Sequence, residues 1–164
     1  MDDAKTAFLN EVLRPSKKVG DVPVLSPFKG GDYYYMRATI YWEPEGADVQ
    51  RLSRVDVPIG FVTDLTSIPS VFWSVLPRDG AYLHAAIVHD YCYWTQTGTR
   101  DVADETLRLG RRDLGVSAWQ ITTIYDAIRL PGVGGSRSWA KNAELKAAGE
   151  RRVLKRYPID PRTT

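Results

Sequence analysis

The segment Ala81 to Trp94 (Ala-Tyr-Leu-His-Ala-Ala-Ile-Val-His-Asp-Tyr-Cys-Tyr-Trp) constrains this chain most, because it sets His89 and Asp90 inside an otherwise apolar run. Burying an ionisable group without a partner costs several kcal/mol. His89 and Asp90 therefore need partners: another side chain, a metal ion or a substrate. On a helix, residues four apart share a face and neighbours diverge by about 100°. Ala86, His89 and Tyr93 then share one side, with Asp90 on its flank, while Leu83, Ile87, Tyr91 and Trp94 form another stripe. A helix apolar on most of its surface is expected at the centre of a domain.

The rest of the chain is expected to cover it. From Val22 to Val62 the period is two: Tyr34, Met36, Ala38, Ile40 and Trp42 alternate with Tyr33, Tyr35, Arg37, Thr39 and Tyr41, as in a half-buried strand. Glu43-Pro44-Glu45-Gly46 reads as a turn, and a second strand puts Val55, Val57 and Ile59 on one face. After the helix with His89, a second runs from about Val102 to Leu114, with Ala103, Leu107, Gly110 and Leu114 as its apolar seam. Gly115 stops it. Ser117 and Gln120 form a capping box for a third helix, with Ile121, Ile124, Tyr125 and Ile128 on one stripe. The chain thus reads as one α+β domain over residues 1–164. A short helix or arm falls at about 1–20 (apolar positions in 4–14, ended by Pro15) and an antiparallel hairpin or meander over 22–63. A helical core follows over 79–131, with Asp79 as N-cap; Gly132–Ser136 is a flexible connector, and a polar helix over 138–157 closes the chain.

Composition narrows the function. At 164 residues the chain is long enough to bury a real core. A net charge of +2 is too balanced to argue for nucleic acid, and the basic run Arg151–Arg156 reads as a solvated helix face. The lone Cys92 rules out an internal disulfide or a cysteine-rich zinc site, and reads as a small buried hydrophobe rather than a nucleophile. No apolar run approaches the roughly 20 residues of a membrane span, and the acidic start Met1-Asp2-Asp3 lacks the apolar stretch of a secretory signal.

The candidate site is built from three places. Helices joined by a short loop pack antiparallel, which brings Asp104, near the start of the second helix, to the end of the first. A carboxylate on one imidazole nitrogen fixes the tautomer and raises the basicity of the other, so Asp104 is expected to orient His89. Thr63, Asp64, Thr66 and Ser67 crowd four side-chain oxygens into the loop leaving the last strand, suited to a hard cation or a polar substrate. The catalytic candidates are His89, Asp104 and Ser67; the metal-ligand candidates are Asp64, Asp90 and His89. Each has a plainer reading. His89 is equally well a core histidine bonded to a carbonyl, and Asp90 an ion-pair partner of Arg100 or Arg129. Asp104 suits the first-turn amides of its helix, and Asp64–Ser67 an Asx or ST turn. Ser67 has no nucleophile elbow around it. His84, about 140° from His89, is expected to be exposed.

Phe61-Val62-Thr63-Asp64 through Pro69, Ala85 to Tyr93, Ala103-Asp104 and Asp113-Leu114-Gly115-Val116 resemble domain of unknown function 1353, a family widespread in tailed phages and prophages. The resemblance covers about residues 55–132. It implies a phage protein, tail- or lysis-associated, located in the virion or the bacterial cytoplasm, and a shared site would fall on Asp64, Ser67, His89, Asp90 and Asp104. His89-Asp90-Tyr91-Cys92-Tyr93 also resembles the active-site helix of secreted phospholipases A2. That likeness implies that His89 activates water, Asp90 binds calcium and Asp104 orients His89. The chain departs from it by lacking that helix's paired cysteines and the glycine-rich calcium loop. Two functions follow as expectations. One is a metal-assisted hydrolase of the cell envelope, using zinc or calcium and no organic cofactor, on peptidoglycan or lipid. The other is a non-enzymatic virion tail or assembly component, in which the His-Asp cluster is structural and the Tyr33–Trp42 strand meets other virion proteins.

Overall fold

The helix carrying His89, α1 (Ala81–Thr95), is the element around which the others pack. Tyr82, every residue from His84 to Asp90, Tyr93 and Trp94 are buried, as the sequence of an all-round apolar helix requires. In this computed structural model the described residues are 19–20, 22–31, 33–65, 81–113, 115, 117–129 and 135–155. Among them the order is β1 (Val19–Gly20), β2 (Leu25–Pro27), β3 (Tyr34–Met36), β4 (Ile40–Trp42), β5 (Val55–Val57), β6 (Val62–Thr63), then α1, α2 (Arg100–Asp113), α3 (Ala118–Arg129) and α4 (Gly135–Ala147). This is the α+β architecture the sequence pattern implies: antiparallel strands, then helices. None of these helices is long and apolar enough to cross a membrane. The expected helix in 4–14, Thr66, Ser67 and the Asp79 cap lie outside the described residues.

Two three-stranded antiparallel sheets, in the orders β1-β4-β5 and β2-β3-β6, cover α1. The β4–β5 hairpin is present, with Ile40 opposite Val57 and Trp42 opposite Val55. The single strand expected over Tyr33–Trp42 is instead two, β3 and β4, which belong to different sheets and are separated by a bend at Arg37–Thr39. Ten extended residues would reach about 33 Å, whereas α1, with 15 residues, is about 22 Å long. The bend lets Met36 and Ile40, both fully buried, pack into one core with Ile87 and Val88 of α1. It also breaks the alternation, so that Tyr35 is buried beside Met36. Ile59 is exposed rather than inward, because β5 ends at Val57 and the chain turns through Gly60 at φ 82°.

The C-terminal helix is shorter than its polar composition suggests. It starts at Gly135, within the expected connector, and ends at Ala147. Gly149 (φ 89°) donates to the Lys146 carbonyl and Glu150 to that of Leu145, the paired bonds of a Schellman stop. Beyond it, Arg152–Leu154 run beside the sheet: Val62 N–H donates to the Arg152 carbonyl at 2.7 Å, and Leu154 N–H to that of Gly60 at 2.9 Å. Over residues 151–155 the basic run is therefore not a helix face; Arg152 lies over the Trp94 ring, 5.2 Å from its centroid.

Two glycines test this packing. A Cβ on Gly110 of α2 meets the Ala85 Cβ at 3.6 Å, an ordinary contact, while one on Gly135 falls 2.3 Å from the Ile128 carbonyl oxygen. Gly110→Ala is expected to stabilise by about 0.5–1 kcal/mol through helix propensity. Gly135→Ala should destabilise by about 1–3 kcal/mol through overpacking. Urea unfolding of both variants checks the pair, and equal effects would contradict the packing described.

Candidate functional site

α1 and α2 pack against each other, and the short connection between them places Asp104 against the last two turns of α1. Asp104 is fully buried. Its Oδ1 accepts from His89 Nε2 at 3.1 Å and from the Tyr93 hydroxyl at 2.6 Å. Two guanidinium groups, Arg100 at 3.8 Å and Arg129 at 3.6 Å, face Oδ2 at ion-pair distance. Arg129 also reaches Asp101 at 2.8 Å, which ties α3 to the start of α2. The two arginines proposed from sequence as partners of Asp90 thus belong to the Asp104 cluster.

His89 is 2% exposed. Burial pushes its pKa down, and this outweighs the opposing pull of Asp104. The ring is therefore neutral at pH 7. Because Asp104 is an acceptor, Nε2 carries the proton and donates, leaving Nδ1, itself buried, with a lone pair. Nδ1 has no hydrogen-bond partner among the described residues. A neutral imidazole held by a carboxylate, with a free lone pair on its other nitrogen, has the electronic arrangement of a general base.

Asp90, one residue on, points elsewhere. Its Oδ2 accepts a short hydrogen bond from the Thr63 hydroxyl, which in turn accepts from Leu65 N–H at 3.1 Å. Leu65 takes a left-handed φ of 56°, so the chain leaving β6 changes direction at Leu65. Burial raises the Asp90 pKa from 3.8 to about 7, with the nearby Asp64 charge adding to it, the Thr63 bond opposing and Arg152 lowering it. Asp64 and Asp90 share a cleft of 280 Å3 between the end of β6, α1, α4 and the C-terminal segment. Tyr93 also lines it, but His89 does not. His89 and Asp90 thus occupy two adjoining places: His89 lies in the α1–α2 interface and Asp90 opens to the cleft. Of the metal-ligand candidates, Asp64 and Asp90 are brought together. Among the described residues no three His, Cys, Asp or Glu side chains come close enough to hold an ion. Ser67 lies outside the described residues.

His84 corrects an expectation: it is 1% exposed, not solvent-facing. α1 is covered on that side too, and His84 Nε2 lies 3.3 Å from the Gly20 carbonyl of β1. Burial lowers its pKa to about 4. Its Nδ1, like that of His89, has no partner among the described residues, but a backbone carbonyl holds the ring and no carboxylate polarises it. Cys92 is pushed up to about 12 by burial, the state of an inert thiol.

Arg111 escaped the sequence reading. It is fully buried, donates to the Tyr82 hydroxyl at 2.7 Å and lies 4.5 Å from that ring's centroid. Its Nε and one Nη have no partner among the described residues, and burial lowers its pKa to about 10. The available signal was position: seven residues after Asp104, Arg111 occupies the same inward face of α2. Asn142 and Lys141 on α4 were also missed, since their relation to Asp90 is visible only once α4 is docked.

Asp90 gives a pH prediction. Its folded pKa lies above the unfolded value, so its contribution to stability is fully present below pH 4 and is lost as the pH rises towards 7. Asp90→Asn should therefore leave the melting temperature almost unchanged at pH 4 and raise it at pH 8. An equal change at both pH values would contradict the buried, proton-retaining carboxyl.

Comparison with known proteins adds relatives rather than an activity. A curated protein from Sinorhizobium fredii (strain NBRC 101917 / NGR234), described as "Uncharacterized protein y4jT", is 37% identical over 78 residues, covering 46% of this chain and 23% of that protein. No solved structure matches the chain. The family described as "Protein of unknown function (DUF1353)" matches residues 43–128, which span β5, β6, α1, α2 and nearly all of α3 and so include His89, Asp90 and Asp104. With just over half of its length matched, the chain belongs to this family.

Proposed function

We propose that this chain is a hydrolase of phage or prophage origin that acts on the bacterial cell envelope, with peptidoglycan as its first substrate and phospholipid as its second. The observation that carries the reading is the state of His89: neutral, held at Nε2 by Asp104, with Nδ1 unpartnered among the described residues. In such a reaction Nδ1 takes the proton of a water molecule as its oxygen attacks the carbonyl. Asp104 stabilises the imidazolium that forms, and the proton is then passed to the leaving group. Tyr93 holds Asp104 in place, and its ring lies 4.2 Å from that of His89. Asp64 and Asp90 are the positions that would hold a divalent ion, zinc or calcium, whose charge would polarise the bond under attack. These roles match those implied by the likeness of His89–Tyr93 to secreted phospholipases A2. The phage setting rests on the likeness set out from the sequence.

One observation favours the alternative, a virion tail or assembly component with a structural cluster: His89 is 2% exposed, and water must reach it for catalysis. The two readings part on His89→Asn and Asp104→Asn. Release of soluble fragments from purified peptidoglycan, and of fatty acid from phospholipid vesicles, is measured with calcium, zinc, magnesium or manganese, and with EDTA. The hydrolase reading predicts activity on at least one substrate, lowered by about a hundred- to ten-thousand-fold in His89→Asn with the fold retained. Inactivity of the wild type on both substrates, together with a loss of about 1–3 kcal/mol in His89→Asn, would overturn it in favour of the structural reading.

A further inference from the structure

The wall of the Asp90 cleft contributed by α4 has a chemistry of its own. Ser138, Lys141, Asn142 and Leu145 are spaced three, one and three residues apart, so they form one face of α4, and all four line the cleft. Asn142 is only 8% exposed, yet its amide forms no hydrogen bond with a described residue. That amide is not sealed from solvent, so water in the cleft can reach it. Its position in the cleft wall means that whatever enters the cleft can meet it. Lys141 stands one residue away, without an ion pair among the described residues, and the Ser138 hydroxyl lies one turn back. The other cation lining the cleft, Arg152, is engaged by Glu150 at 3.1 Å and by the Trp94 ring. Across the cleft, Asp64 and Asp90 supply the acidic wall. Charge is therefore partly divided: a cation and amide donors on α4, two carboxylates on the side of β6 and α1, and a third, Glu150, paired with Arg152 in the C-terminal segment. The α4 wall therefore suits an oxyanion better than the wall that carries Asp64 and Asp90.

We propose that Ser138, Lys141 and Asn142 form a subsite for an oxyanion group of the ligand, a carboxylate or a phosphate, with the rest of the ligand directed towards Asp64 and Asp90. Lys141 supplies the charge, the Asn142 amide and Ser138 hydroxyl supply directed donors, and Leu145 is the one aliphatic contact. At 280 Å3 the cleft falls just below the roughly 300–1,000 Å3 of drug-sized sites, so it takes a terminal group rather than a polymer segment. A peptide carboxylate and a lipid phosphate share this chemistry. The inference deepens the hydrolase reading by naming the charge its ligand carries near the site, but the binding does not require turnover.

The test is a titration of the whole chain, followed by NMR of the Asn142 side-chain NH2 and the backbone amides of 138–145. The probes are N-acetyl-D-alanyl-D-alanine, its C-terminal amide, and glycerol 3-phosphate. The inference predicts saturable shifts with at least one oxyanion, weakened about ten-fold or more by amidation of the dipeptide and by Lys141→Gln. Lys141 is exposed, so that variant keeps the fold even if Asn142→Ala does not. The tighter of the two oxyanions names the source. Equal binding of acid and amide, shifts unchanged in Lys141→Gln, or no shift with either oxyanion would overturn the proposal. Hydrolysis lost in His89→Asn with these shifts intact would separate the subsite from the catalytic reading. Hydrolysis present without these shifts would overturn the subsite alone.

Discussion

Asp104 is the group on which the arrangement depends. One carboxylate, fully buried, is bonded to His89 and Tyr93 of α1 and faces Arg100 of its own helix and Arg129 of α3. A buried carboxylate is tolerable only when its charge is compensated and its lone pairs are used. Here the two arginines compensate the charge and Oδ1 is used twice, which joins three helices, although Oδ2 accepts no hydrogen bond from a described residue. Removing Asp104 would leave two arginines facing a gap and a histidine with neither nitrogen held. The same bond decides His89 chemistry: it places the proton on Nε2 and leaves Nδ1 able to accept one.

Burial then separates the two polar neighbours that made the sequence distinctive. His89 faces α2 and is kept neutral. Asp90 faces the cleft, is held by Thr63, and keeps its proton to about pH 7. A base poised on one side and a carboxyl titrating near neutrality on the other is the pattern by which environments push ionisable groups towards different tasks. The 100° step along a helix is enough to send adjacent residues to different surroundings.

Much of this was legible in the sequence because it is local or nearly so. Apolar spacing marks α1, α2 and α3. Gly115 and the Ser117–Gln120 pair mark the break between α2 and α3, where the two side chains do bond each other. The His89–Asp104 contact follows from two helices, a short connection and antiparallel packing. What was not legible depends on distant segments. Nothing in Arg37-Ala38-Thr39 announces a bend; it arises because two short sheets must fit one helix of about 22 Å. His84 is buried because β1, far away in the chain, lies over it. The segment Arg152–Leu154 pairs with Gly60 and Val62 through backbone groups, which side-chain composition does not report. The amide of Asn142 gains its meaning only from the cleft that α4 closes.

The most direct measurement is of the tautomer and charge of His89, by nitrogen NMR of the imidazole across pH 5 to 8. The chain has two histidines, so His84→Gln isolates the signal. The account predicts a ring that is neutral at pH 7 and titrates below the ordinary imidazole range, protonated at Nε2 and with an unprotonated Nδ1, and loss of that preference in Asp104→Asn. A charged imidazolium at pH 7, or a proton on Nδ1, would contradict it.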